Sequence, residues 1–143
     1  MARLNRNASE AMVAAGVNAA TDVTGFGMLG HAYEMAHAAN VTISINAAAV
    51  PVLEEARGYI DPKFTCGGSN RNAAYTESRV EYATHVTDDQ RAVLNDVQTS
   101  GGLLIAVPSD RSKQLVAAIR DGGDSYAAAI GEVVDGDPAI VVT

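Results

Sequence analysis

Residues 21–31 run Thr-Asp-Val-Thr-Gly-Phe-Gly-Met-Leu-Gly-His, and this stretch constrains the fold more than any other. It sets the Asp22 carboxylate beside a glycine-rich turn that opens a helix. A helix start offers unpaired backbone N–H groups and the positive end of a dipole. Phosphate oxygens are attracted to such a place. A carboxylate beside bound phosphate lets a divalent cation bridge the two. The first reading is therefore a Mg-nucleotide or phosphate site.

Gly25-Phe26-Gly27-Met28-Leu29-Gly30 also spells the dinucleotide fingerprint. That fingerprint should follow a buried parallel strand. Residues 16–21, Gly-Val-Asn-Ala-Ala-Thr, are poor strand material. An acidic residue should close the next strand and hold a ribose. The next strand candidate, Val41 to Ile45, is followed by Asn46. The context argues against the fingerprint.

The chain has 143 residues, enough for one domain with a core. Apolar residues make up 48%, which excludes a disordered chain. Aromatics are only 5% beside 13 glycines, so close helix–sheet packing is expected over a core of large rings. The formal net charge is −7, with Lys and Arg scattered. Such a surface repels nucleic acid and anionic membrane, and neither is expected as a partner. Cys66 is the single cysteine, so no intramolecular disulfide forms. Met1 to Arg6 lack an apolar targeting core, and no apolar run is long enough to span a bilayer. A soluble, cytoplasmic protein is expected.

Periodicity predicts a helix over about 8–15, stopped by Gly16, and a second over 26–39. In the second, Phe26, Leu29, Tyr33 and Ala36 share a face that should meet the core. Val41 to Ile45 alternates as a half-buried strand. Pro51 starts a short helical stripe of Leu53, Ala56 and Ile60, ended by Asp61-Pro62. Phe64 to Asn72 reads as a loop around Gly67-Gly68. Val80 to Thr84 is a strand candidate and 88–95 a short helix with acidic capping at its start. Gly102 to Val107 is a buried strand ended by Pro108. Ser109 caps a helix carrying Leu115, Val116 and Ile119 and ending at Gly122-Gly123. Ser125 to Val134 and Ala139 to Val142 read as a hairpin about Asp135-Gly136-Asp137. The alternation implies an α+β domain with a mixed sheet, layered α/β/α.

Asp22 is open to two readings. It is a metal ligand, or it caps the turn by accepting the Thr24 and Gly25 amides. Gln98-Thr99-Ser100-Gly101-Gly102 offers two hydroxyls and two glycines for close approach to an anion, or is an ordinary strand entry. Arg71, after Gly67-Gly68, pairs with phosphate or sits on a solvated turn. His31 lies one helical turn beyond Gly27, where a packed or capping role outweighs ligation. His37 and His85 have no partners at zinc spacing. Cys66 is a nucleophile only with a base nearby in space, and otherwise a buried or idle thiol.

Leu4-Asn5, Thr21 to His31, Gly67-Gly68 with Arg71-Asn72, and Asp96 to Leu104 occur in an order that resembles the selenophosphate synthetases (selenide, water dikinases). These belong to the wider group of AIR-synthase-like ATP-binding enzymes. The resemblance spans most of the chain but covers only the C-terminal domain of that family. It implies a three-layer α/β/α domain, partly ferredoxin-like, and in the whole enzyme a homodimer. That enzyme converts ATP, selenide and water to selenophosphate, AMP and phosphate. The family's catalytic Lys and reactive Cys or selenocysteine lie in a preceding domain, so no catalytic residue is assigned here and Cys66 inherits no role. Asp22 is implied as a Mg²⁺ ligand. Thr21, Thr24, Gly25, Gly27, Thr99, Ser100, Gly101 and Gly102 are implied to contact the ATP phosphates, facing the absent N-terminal domain. The chain alone, a separated half or a fragment, is expected to be inactive. Another AIR-synthase-like ATP-dependent synthetase, or a non-catalytic assembly module, are the alternative readings. One departure is Val97, where the family usually has Pro. Pro would stiffen the loop entry that Val leaves freer.

Overall fold

The computed structural model describes residues 4–61 and 63–143. Helix α1 (Arg6–Ala15) ends where Gly16 turns left-handed at φ 68°, its N–H donating to the Met12 and Val13 carbonyls. Strand β1 (Ala19–Asp22) leads into α2 (Gly27–Ala39), which Asn40 closes at φ 54°. Strand β2 (Thr42–Ile45) is followed by 3₁₀ turns at Ala47–Ala49 and Glu54–Tyr59. Then come α3 (Gly67–Thr76), β3 (Val80–Tyr82), α4 (Asp88–Asn95), β4 (Leu103–Ala106), α5 (Ser109–Asp121), β5 (Gly131–Val134) and β6 (Ala139–Val142).

The strands form a mixed arrangement in two pieces. Strands β1 and β4 pair antiparallel as a ribbon, Asp22 opposite Leu103 and Ala19 opposite Ala106. The larger sheet has four strands in the order β3-β6-β2-β5. Strand β6 runs parallel to both β2 and β3, and β5 runs antiparallel to β2. The class is α+β, as expected.

Two cores hold these pieces. Side chains alternate across β4, so Leu103 and Ile105 pack with Ala8, Leu115 and Ile119 of α1 and α5. Leu104 points the other way, into the core around α2. The ribbon is thus layered between α1/α5 and α2. On its far side α2 covers the four-stranded sheet, where Leu29, Ala32 and Ala36 meet Ile45, Ile140 and Val142. The two alanines let the helix approach the sheet closely. Burying each large aliphatic here contributes roughly 1.5–3 kcal/mol.

Four sequence expectations are corrected. Residues 19–22 form a strand despite their small, polar composition, because β4 supplies a ready ladder of backbone partners. That strand is antiparallel, in keeping with the rejection of the dinucleotide fingerprint on sequence grounds. Residues 67–76 form a helix where a loop is expected. Its buried face is Ser69, Asn72 and Thr76, so it carries no apolar stripe to announce it. Strands β5 and β6 do not pair with each other, because β2 inserts between them. Their connection arches over the start of β2, where the Thr42 hydroxyl donates to the Asp137 carbonyl at 2.7 Å. Finally, Phe26 does not join the core face of α2 but precedes the helix with 61% of its surface exposed. The stripe after Pro51 is realised as the 3₁₀ turn Glu54–Tyr59, and Pro62 lies outside the described residues. No described helix is long and apolar enough to cross a membrane.

Candidate functional site

The end of β1, the turn before α2 and the loop between α4 and β4 are tied together by backbone. Val23 N–H donates to Gly102 O at 2.9 Å, and Gly101 N–H donates to Val23 O at 3.1 Å. Two residues thus face one, as in a β-bulge, and the strand entry bends away from the ladder. Gln98 N–H donates to Thr24 O at 3.0 Å, and the Asn5 side chain donates to Gly101 O at 2.9 Å. The segments carrying Asn5, Thr21–His31 and Asp96–Leu104 therefore meet in space.

Behind them stands a buried polar cluster that sequence reading missed. Ser69 Oγ donates to Asp96 Oδ1 at 2.7 Å and accepts from Val97 N–H at 3.2 Å. Asn72 Nδ2 donates to Gly25 O and Asn95 O, each at 3.0 Å. Thr76 Oγ1 donates to Asn95 Oδ1 at 2.8 Å, and Asn95 Nδ2 reaches the Tyr82 hydroxyl at 3.2 Å. Buried polar groups must find such partners or cost stability. The signal available in the sequence was the helical spacing of Ser69, Asn72 and Thr76, a polar stripe rather than an apolar one. The departure at Val97 has a local consequence. Its amide makes a hydrogen bond that Pro could not make, and its side chain lies where a Cβ on Gly68 would come within 2.6 Å.

The glycines divide into two kinds. Gly27 is buried at φ 67°, and a Cβ there would lie 2.8 Å from Asn95 O. A Cβ on Gly101 would strike the Gln98 side chain and Val23 O. These two glycines serve the packing of the loops, and their N–H groups are engaged with Thr24 O and Val23 O. Gly25 and Gly102 face open space. Among the described residues, the backbone N–H groups of Gly25, Phe26, Thr99 and Ser100 have no partner.

Asp22 is exposed at the end of β1. Among the described residues its carboxylate has no hydrogen-bond or ion-pair partner, so it caps neither the turn nor α2. The capping role falls to His31, whose Nε2 lies 3.1 Å from both the Thr24 amide nitrogen and Thr24 Oγ1. The Thr21 hydroxyl donates to Asp22 O at 3.2 Å. Thr99 and Ser100 are exposed. Arg71 is exposed on α3, with no hydrogen bond or ion pair among the described residues.

Cys66 is exposed, not buried, and precedes the first turn of α3. The Ser69 hydroxyl, whose one proton can turn from Asp96 to the sulfur 3.5 Å away, and the backbone N–H groups of Ser69 and Gly68 hold its thiol below the ordinary value. No group of three or more His, Cys, Asp or Glu able to hold a metal occurs among the described residues. Two clefts, of about 390 Å³ along α5 and about 450 Å³ between Val52 and Val93, include no residue of these loops.

The whole chain, residues 1–143, matches the family model of the AIR synthase related protein, C-terminal domain. The chain belongs to that family. It is 40% identical over 140 residues to the selenide, water dikinase of Pseudomonas straminea, covering 98% of this chain and 39% of that protein. It is 44% identical over 116 residues to the selenide, water dikinase of Caldanaerobacter subterraneus subsp. tengcongensis, covering 80% of this chain and 33% of that one. Identity to the Clostridium botulinum protein of the same name is 35% over 143 residues, 41% of its length. The chain thus spans between a third and about two fifths of the length of these relatives. Within this family domain, the two loops brought together by the β1–β4 ribbon carry the unpartnered Asp22 carboxylate and the unpartnered amides of Gly25, Phe26, Thr99 and Ser100.

Proposed function

We propose that this domain is the C-terminal lobe of a selenide, water dikinase, which makes selenophosphate from ATP and selenide with release of AMP and phosphate. The similarity to relatives of that name supports the reading, and the observation that carries it is Asp22. Its exposed carboxylate has no partner among the described residues and stands beside backbone donors that have none, so the carboxylate is free to meet a cation and the donors to meet the anion it carries. Mg²⁺ is bound through one or two carboxylates together with substrate phosphates and water. One exposed acid, with no pre-built cage among the described residues, fits that pattern. When bound, the cation neutralises charge that develops as phosphoryl groups transfer.

The chain's own residues have separate tasks in this reading. Asp22 offers an oxygen to the cation on the ATP phosphates. The free amides of Gly25, Thr99 and Ser100 receive phosphate oxygens, with Thr21, Thr24 and Gly102 on the same rim. Gly27 and Gly101 sit behind that rim and set its backbone. The remaining ligands and the catalytic groups come from an N-terminal domain, so the lobe alone is inactive. The full enzyme works as a cytoplasmic homodimer. The rim lies on the surface, and closure by a second lobe would remove the water that weakens such contacts.

The test is ATP turnover by the full-length protein with and without selenide. Selenide-dependent release of AMP that disappears in Asp22→Ala supports the reading. Turnover indifferent to selenide points to another AIR-synthase-like synthetase, and turnover that survives Asp22→Ala removes the metal role.

A further inference from the structure

We infer that Asn72 is a positioning residue that sets the gap between the two halves of the phosphate-facing rim, an inference that rests on the reading of that rim given above. Its carboxamide donates one N–H to Gly25 O and the other to Asn95 O, both at 3.0 Å. Two carbonyl acceptors fix the amide orientation, since the opposite flip would face oxygen with oxygen. Gly25 belongs to the turn before α2. Asn95 ends α4, and the segment that follows it carries Gln98, Thr99 and Ser100. Among the described residues, no other side chain bonds to both of these elements.

The residue type is specific to the task. Asp has no donors there, Ser and Thr have one, and Gln carries its amide a methylene too far. The platform is rigid. Ser69, three residues before, is bonded to Asp96, and Thr76, four residues after, is bonded to Asn95. Both lie on the same buried face of α3 as Asn72.

The two acceptors differ in a way that separates positioning from mere stability. Asn95 is buried at 4% exposure and stays fixed, with or without Thr76, by its side-chain bonds to the Tyr82 hydroxyl and the Arg91 carbonyl. Gly25 is exposed, and a Cβ on it would meet nothing within 4 Å. Without Asn72, the Gly25 carbonyl can turn to water; Thr24 stays tied to Gln98, but the Gly25–Phe26 peptide is released and the Phe26 N–H turns with the carbonyl. The fold survives such a movement, but the spacing between the Phe26 and Thr99 amides does not. Small misplacements of groups that hold a polyphosphate are costly to binding.

The experiment compares Asn72→Asp, Asn72→Ala and Thr76→Val in the full-length protein. Asn72→Asp keeps the shape and removes both donors, and Asn72→Ala serves if the carboxylate prevents folding. Thr76→Val removes a buried hydroxyl from the same helix face without touching Gly25. Two readouts are taken: KM and kcat for Mg-ATP in selenide-dependent turnover, and amide hydrogen exchange in peptides covering residues 24–27 and 98–101. The Asn72 variants should raise KM about tenfold, with a much smaller change in kcat, and speed exchange in both peptides. Thr76→Val should lower the melting temperature while leaving KM and those peptides at parental values. If Thr76→Val matches the Asn72 variants, or if the Asn72 variants exchange like the parent, Asn72 is only structural and the inference is overturned. A parent without ATP turnover sinks the reading of the rim. The exchange comparison then decides Asn72's role by itself.

Discussion

His31 Nε2 stands 3.1 Å from the Thr24 amide nitrogen, seven residues back along the chain. The amide can only donate, so Nε2 accepts and the ring proton resides on Nδ1. The Thr24 hydroxyl, at 3.1 Å from the same nitrogen, then donates as well. One imidazole thus fastens the turn to the helix that it opens, and the Phe26 ring lies edge-on against it at 5.6 Å.

Replacing His31 with Ala should therefore loosen the turn. The expected loss is about 1 kcal/mol, as for other lost side-chain caps. Urea denaturation of parent and variant reads it directly. A variant as stable as the parent would show that water replaces the imidazole without cost.

Asp22→Ala should leave stability within about 0.5 kcal/mol, because the side chain is exposed and makes no hydrogen bond or ion pair among the described residues. The same variant should lose ATP turnover in the full-length protein. Thermal melting and turnover measured on one preparation separate the two effects. A large drop in melting temperature would mean that Asp22 holds the fold instead.

Gly27→Ala places a methyl group 2.8 Å from Asn95 O and forces an L-residue to φ 67°. Both penalties act at once, and the substitution should cost roughly 1–3 kcal/mol. Gly25→Ala is the control, since a Cβ there meets nothing within 4 Å. Equal denaturation midpoints for the two variants would contradict the close approach of α2 to the end of α4.

Cys66 should react with iodoacetamide along a pH profile whose inflection lies below that of a free thiol, near 8.5. The Ser69 hydroxyl, by turning its proton from Asp96 to the sulfur, and the amides of Ser69 and Gly68 favour the thiolate, while Asp96 opposes it. A lower pKa means more thiolate at neutral pH, so alkylation there is faster than for an unstructured cysteine. Ser69→Ala should move the inflection up. An unchanged profile in that variant would assign the effect to the backbone alone.

Much of the architecture is legible in the amino-acid order. Gly16 stops α1 and strand β6 spans Ala139–Val142, both as read. Helix α4 occupies Asp88–Asn95, though its cap is Thr87, in a reciprocal box with Gln90, rather than an acid. These features depend on local chemistry, namely left-handed glycine, alternation and capping. The helix at 67–76 escaped because its buried face is polar. A stripe of Ser69, Asn72 and Thr76 looks solvated until the carbonyls it serves are known.

The same division holds for the candidate site. The amino-acid order alone established a glycine turn with an acid beside it, and a second glycine loop before a buried strand. It could not tell that Asp22 stands free, that His31 caps the turn, or that β2 separates β5 from β6. Those outcomes come from partners distant in the chain, such as Gly25 with Asn72 and Val23 with Gly101. A residue's propensity reflects its near neighbours, whereas a hydrogen bond across the fold exists only once packing has brought donor and acceptor within 3 Å or so.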